Sequence, residues 1–243
     1  MKILIPTAKE MNLSLKPHGK CFLSEQTKTI VASLSQYSIE ELADFYHISL
    51  ERAEEEYIHL QQLKNGQALT YPALHLFDGL MYRNIKRSHL TEQELRYVDK
   101  HLFITSSLYG VIPVMALISP HRLDFLVKCT ISGKSLKNYW RNDYDAAISD
   151  EEMVLSLLSS EFETVFSKSI RDKMIRFKFL EDREGSLKVH STISKKARGQ
   201  FLTALIEKQV TSKKEIKQLQ FAGFAFREDL STINTYVFVK ENK

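Results

Sequence analysis

The chain opens with an apolar run, Ile3-Leu4-Ile5, stopped by Pro6 and followed by Thr7, Ala8, Lys9 and Glu10. A short β-branched run ended by proline predicts a buried strand that delivers Lys9 to its carboxyl end. At Ser38 the pattern becomes helical. Ser38-Ile39-Glu40-Glu41 is a capping box, in which the serine oxygen and Glu41 satisfy two orphan amides, and Leu42 and Phe45 supply the apolar face. Ala53, Tyr57, Leu60 and Leu63 recur at helical spacing through a second helix, joined to the first by Tyr46-His47-Ile48-Ser49. Together they predict a helical hairpin at about 38–63. A second capping box, Thr91-Glu92-Gln93-Glu94, starts a helix that runs to about His101. Leu102-Phe103-Ile104-Thr105 then reads as a strand ending in the turn Ser106-Ser107-Leu108-Tyr109-Gly110, whose glycine permits positive φ.

Further along, Leu123–Cys129 reads as a strand and Ser135–Ile148 as a short helix carrying Trp140. Ser149-Asp150-Glu151-Glu152 has the form of a capping box, yet Met153–Leu158 also reads as a buried strand. The restart of helix at Ser159-Ser160-Glu161-Phe162 favours the strand. Met174–Leu180 alternates Ile175, Phe177 and Phe179 with Arg176 and Lys178, and Leu187–Ile193 alternates similarly, so both read as half-buried strands. A helix from Ser194 to Gln209 buries Ala197, Phe201, Leu202, Leu205 and Ile206. Phe221–Phe226 and Thr235–Lys240 close the chain as a hairpin. Strands interleaved with helices, ending in that hairpin, predict a mixed α/β fold: a mixed β-sheet covered by helices with a C-terminal β-hairpin. No Gly/Ser-rich or Pro-rich stretch marks a boundary, so residues 1–243 read as a single compact domain.

Composition narrows the function classes. The longest apolar runs fall far short of a membrane span, and the amino terminus is too short and too quickly charged for a signal peptide, so a cytoplasmic protein without membrane contact is expected. Cys21 and Cys129 lack metal or redox spacing and read as buried or incidental thiols. The eight histidines show no ligand spacing, so no metal is assigned. Without a Walker loop or G-x-G-x-x-G, ordinary nucleoside triphosphatases and dinucleotide enzymes are disfavoured, and no cofactor is expected. The net charge of +4 permits a polyanionic partner, and the basic residues concentrate between Lys188 and Lys217.

Within that basic pole, Lys195, Lys196 and Arg198 fall in the first turn of their expected helix, where cations oppose the macrodipole and a phosphate would reverse the sign. Solvation of the three side chains is the alternative. The helical hairpin could grip phosphate through its turn, but the turn has no glycine, and Glu51, Glu54, Glu55 and Glu56 make its second helix acidic, which favours a structural role. Ser106, Ser107 and Gly110 follow a buried strand, where α/β sheets commonly bind ligands; a turn bonding a ligand or its own backbone is favoured over a nucleophile, because no G-x-S-x-G elbow is present. Glu161 reads either as facing the same region or as a helix-start carboxylate.

Several segments, taken in order, resemble the YaaA peroxide-stress proteins. They are Ile3–Lys9, Phe77-Asp78-Gly79-Leu80-Met81-Tyr82, Ser107–Pro113 with Pro120-His121-Arg122-Leu123, Tyr139-Trp140, Leu157–Phe162, and Lys195-Lys196-Ala197-Arg198-Gly199. The resemblance spans nearly the whole chain. It implies a compact mixed α/β domain with a positively charged cleft, DNA binding, a role in limiting DNA damage during peroxide stress, and a helix-hairpin-helix element mapping to the 38–63 region. On this reading the protein binds DNA without catalysis, through a cleft lined by Lys9, Tyr109, Arg122, Lys195, Lys196 and Arg198. The cations contact phosphates without reading sequence, and Tyr109 stacks on an unpaired base. The rival reading is an enzyme acting on a nucleotide or nucleobase in the same cleft, with Glu161 or Asp78 as general acid or base.

Overall fold

A computed structural model describes residues 1–20, 22–183 and 186–241; Cys21 therefore lies outside the described residues. After β1 (Lys2–Pro6) come α1 (Glu25–Leu34), α2 (Ile39–Tyr46) and α3 (Leu50–Lys64). The two-residue strand β2 (Tyr71–Pro72), α4 (Ala73–Leu76) and a 3-10 turn at Tyr82–Asn84 lead to α5 (Glu92–His101) and β3 (Leu102–Ser106). Next, β4 (Gly110–Pro113) turns back along β3, β5 (Leu117–Ile118) pairs with β2, and β6 (Thr130–Ile131) pairs with β7 (Lys134–Ser135). The chain continues through α6 (Leu136–Ile148), β8 (Val154–Ser156), α7 (Ser160–Glu163), α8 (Lys168–Arg171), β9 (Ile175–Arg183) and β10 (Ser186–Lys188). It ends with α9 (Ser191–Lys208), α10 (Lys213–Lys217), β11 (Gln220–Phe221), β12 (Phe224–Phe226) and β13 (Thr235–Glu241).

Among the described residues, nine of these strands form one sheet in the order β11-β12-β13-β9-β8-β1-β3-β4, with β10 added to β9. Its central run β13-β9-β8-β1-β3 is parallel, and both ends are antiparallel. Alternation along the strands explains why both faces are covered. Ile3 and Ile5 share an apolar cluster with Tyr97 and Val98 of α5 and with Phe201, Leu202 and Leu205 of α9. Leu4 joins a second cluster with Ile30 and Leu34 of α1, Leu60 of α3, and Trp140 and Tyr144 of α6. A parallel strand apolar on both faces needs a helical layer on each side, and the two clusters are those layers. No helix among the described residues is long and apolar enough to cross a membrane.

Most local expectations hold for local reasons. Ser38 with Glu41 and Thr91 with Glu94 make both capping-box hydrogen bonds. Met153–Leu158 contains strand β8, and Ser149 ends α6 rather than opening a helix. The C-terminal hairpin pairs β12 with β13, while the expected Phe221–Phe226 strand is broken into β11 and β12 by Ala222 and Gly223, both at positive φ, as a two-residue hairpin loop requires.

Two expectations fail. Leu123–Cys129 is irregular because Asp124 Oδ1 accepts from the amides of Leu126 (2.9 Å) and Val127 (3.2 Å), folding the segment into a turn. The alternation of Leu187–Ile193 is strand only as far as Lys188. The helix then begins at Ser191, with His190 as N-cap and the Ser194 amide bonded to the His190 carbonyl. Lys195, Lys196 and Arg198 thus lie beyond the first turn of α9, and the free amides of the helix start belong to residues before them.

Candidate functional site

In the parallel run, β1 has β3 on one side and β8 on the other. The chain proceeds first to β3 and later returns to β8, so the topological switch lies between β1 and β8, and open α/β sheets form ligand crevices outside the carboxyl ends of such strands. A cleft of about 520 Å³ lies there, within the ~300–1,000 Å³ span of single-ligand pockets. Four stretches wall it: Pro6–Glu10 after β1, Gly79–Tyr82, His121–Asp124, and Ser159, Glu161 and Phe162 after β8. Thr192, Lys195 and Arg198 of α9 close it.

The walls are held by short-range fits. Tyr82 donates its hydroxyl to the Pro6 carbonyl at 2.8 Å, and a side chain at Gly79 would meet the Ala8 methyl at 2.8 Å. Helix α9 approaches this segment so closely that a Cβ on Gly199 would collide with the Met81 carbonyl oxygen and lie 2.7 Å from Asn84 Cβ. Thr203 fastens the same junction, donating to the Asn84 carbonyl at 3.1 Å and accepting from the Lys86 amide at 2.9 Å. Gly199 therefore sets how near Arg198 stands to the cleft.

Lys9, Arg122, Lys195, Arg198 and Glu161 are brought together in this cleft, whereas Tyr109, Lys196, Asp78, Ser106, Ser107 and Gly110 are not among its walls. The cations are not equivalent. Lys9 Nζ lies 2.6 Å from Asp124 Oδ2, so its charge is already matched. Arg122, Lys195 and Arg198 make no hydrogen bond or ion pair with the described residues. Lys195 and Arg198, three apart on α9, share the cleft face as their spacing predicts, and the intervening Lys196 is exposed elsewhere. Arg198 is partly buried; burial pulls its guanidinium pKa down from the ordinary value, with Glu163 opposing.

Glu161 accepts the Phe125 amide on Oε1 at 3.0 Å. Burial raises its carboxyl pKa, only partly offset by that hydrogen bond, and neighbouring Asp124 pushes the same way. Asp78 belongs to another environment. Burial alone would raise its pKa, but hydrogen bonds from Arg87 (2.9 Å) and Arg83 (3.2 Å) hold it below the usual carboxylate range, and Arg83 also binds Glu10. A carboxylate clamped by two arginines stays ionised and is a poor proton donor.

The turn after β3 is occupied by its own structure. Ser106 Oγ accepts from the amides of Leu108 (3.2 Å) and Tyr109 (3.1 Å), and Ser107 donates to the Leu123 carbonyl at 2.5 Å. Tyr144 and Trp140 donate to the carbonyls of Ser106 and Ser107. Gly110, at φ +78°, abuts the Trp140 ring. The turn thus bonds its own backbone and neighbours. Tyr109 is tied down as well, its hydroxyl accepting the Ser119 amide at 3.1 Å.

A second cleft of about 530 Å³ adjoins the first and shares Lys9, Glu10, His121 and Arg122 with it. Its far wall is α3, which contributes Arg52, Glu55, Glu56 and His59. The helical hairpin therefore borders the site with carboxylates, and the amides of His47 and Ile48 in its turn are bonded to α2 carbonyls. Cys129 is buried, its thiol pushed up to about 11. Among the described residues, no group of three or more His, Cys, Asp or Glu side chains is arranged to hold a metal. The site residue that sequence reasoning passed over is His121, which carried no pairing signal and was visible only within the Pro120–Leu123 segment.

Residues 1–230 match the family described as peroxide stress protein YaaA. The UPF0246 protein of Streptococcus gordonii (strain Challis) is 59% identical over 241 residues, covering 99% of each chain. The UPF0246 protein of Streptococcus pneumoniae serotype 19F (strain G54) is 58% identical over 241 residues, 99% of this chain and 100% of the relative. A match over nearly the whole length, with the relatives covered almost end to end, means that this chain belongs to the peroxide stress protein YaaA family.

Proposed function

We propose that the cleft at the β1/β8 switch binds the phosphates of DNA, and that this is how the protein serves the peroxide-stress response. The observation that carries the reading is Arg198: a partly buried guanidinium lining a cleft, with no ion pair to an anion among the described residues. An unmatched, half-desolvated cation is an unfavourable arrangement that a phosphate relieves, and Arg122 and Lys195 add two further unpaired charges on the same walls. Phosphate contacts of this kind supply affinity and position without reading sequence. The cleft's size suits one nucleotide unit, so an unpaired or extruded nucleotide fits it better than the length of a duplex.

The test is fluorescence anisotropy with labelled single-stranded and duplex DNA over a salt series, comparing the wild type with a Lys195→Met, Arg198→Met variant. Tight binding with a steep salt dependence is expected, the single strand preferred. Removing two phosphate contacts should make the single-strand log–log slope shallower by about 1.4. Absence of binding at low salt, or an unchanged slope in a folded variant, refutes the reading. One observation favours a second reading, an enzyme acting on a nucleotide or nucleobase: Glu161 lines the same cleft with a carboxyl that holds its proton to higher pH than usual. Turnover of nucleotides or damaged oligonucleotides that is lost in Glu161→Gln, with binding retained, distinguishes it.

A further inference from the structure

Phosphate contacts alone leave a nucleotide site blind to the base. We infer that His121 is the residue in this cleft that reads the base, its Nε2 accepting an N–H from an amino-bearing nucleobase while the attached phosphate rests on Arg198 and Lys195. This rests on the phosphate-binding reading of the cleft and extends it.

The imidazole has one nitrogen committed and one free. Nδ1 lies 2.9 Å from the Ser119 carbonyl oxygen, which only accepts, so Nδ1 carries the proton. Nε2 is then a bare lone pair whenever the ring is neutral. Burial favours the neutral form, lowering the ring's pKa against the opposing Ser119 hydrogen bond, with Glu56 raising it and His59 lowering it from the adjoining helix. The residue is 5% exposed, and its side-chain hydrogen bond among the described residues is made by Nδ1, not Nε2.

A satisfied core histidine would have partners on both nitrogens; this one has a hydrogen bond from the described residues on Nδ1 alone, and it lines both clefts. Its orientation is fixed. Phe77 and Tyr109 pack edge-on against it, with ring centroids 6.0 and 5.1 Å away, and Tyr109 is itself held by the Ser119 amide. Leu80, Met81, Leu123 and Phe162 give the same cleft an apolar lining suited to the faces of a base. Glu161 brings a second polar group, with Oε1 already occupied by the Phe125 amide. A rigid acceptor in an apolar slot discriminates by what a ligand leaves unpaired: a ligand that covers it without offering a donor strands Nε2.

The experiment is calorimetric titration of the whole protein with the four deoxynucleoside monophosphates, with N6,N6-dimethyl-dAMP, and with inorganic phosphate. Nitrogen NMR of the histidine-labelled wild type accompanies it. The tightest ligand is expected to carry an amino group, dAMP is expected to outbind its dimethyl analogue by about tenfold or more, and the His121 Nε2 resonance is expected to move with dAMP and not with inorganic phosphate. His121→Phe should level the nucleotides to within about threefold while phosphate still binds; His121→Gln, which restores an acceptor, should recover part of the preference. Equal affinities in the wild type, or an Nε2 resonance unmoved at saturation, overturn the inference and leave phosphate binding intact. If neither phosphate nor any nucleotide binds, both readings fall. The NMR readout uses the unaltered chain, so a variant that fails to fold does not remove the test.

Discussion

Gly199 is where helix α9 and the Gly79–Asn84 segment meet, and replacing it with alanine sets two effects against each other. In a helix interior, alanine is favoured over glycine by about 1 kcal/mol, which would stabilise an 18-residue helix such as α9. Against this, the added methyl would collide with the Met81 carbonyl oxygen and lie 2.7 Å from Asn84 Cβ and 3.0 Å from the Asn84 carbonyl carbon. Two of the three obstacles are backbone, so the contact cannot be relieved by a side-chain rotation, and the overpacking cost falls at about 3 kcal/mol or above. The difference predicts a net loss of about 2 kcal/mol, or about 4–8 °C in Tm for a chain of this size. Urea unfolding followed by circular dichroism, with a thermal scan alongside, measures it. A Gly199→Ala variant as stable as the wild type, or more stable, would refute the close approach, and with it the argument that this glycine sets the distance of Arg198 from the cleft.

Two further outcomes follow from the buried polar network. Tyr144→Phe removes the hydroxyl donor 2.8 Å from the Ser106 carbonyl in a fully buried site and should cost about 1–3 kcal/mol in urea unfolding; a loss under about 0.5 kcal/mol would mean that the turn after β3 does not depend on it. Glu161 has a pKa raised in the folded state, chiefly by burial, so its favourable contribution is complete below the ordinary glutamate pKa of about 4.3 and is lost as pH rises through the folded value. Glu161→Gln is uncharged throughout and should gain stability relative to the wild type between about pH 4 and 7. A difference that stays flat over that range would show that the carboxyl is not desolvated.

How far the sequence reveals this molecule depends on the range of the interaction concerned. The capping boxes at Ser38 and Thr91, the proline-stopped strand β1 and the β12–β13 hairpin are written in residues a few positions apart, and each is found where the pattern places it. The start of α9 was not legible because Leu187–Ile193 alternates like a strand, and only the His190 backbone shows where the helix takes over. The cleft draws on five separated stretches, and no periodicity connects them; the shared family segments named Lys9, Arg122, Lys195, Arg198 and Glu161 because they are motifs, not because they are neighbours.

What a motif cannot convey is which partners a side chain already has. Lys9 counts as a cation in the sequence, but Asp124 at 2.6 Å neutralises it; Asp78 counts as an acid, but two arginines keep it ionised; Tyr109 counts as a stacking ring, but it packs edge-on against His121, outside the cleft walls, with its hydroxyl taking the Ser119 amide. His121 reverses the case. It carries no formal charge and no ligand spacing, yet Nε2, which takes no hydrogen bond from the described residues, is the atom on which the proposed base recognition rests. The groups best placed to meet a ligand are those the fold leaves unpaired, and among the described residues on these walls they include Arg122, Lys195, Arg198, the second carboxyl oxygen of Glu161 and Nε2 of His121.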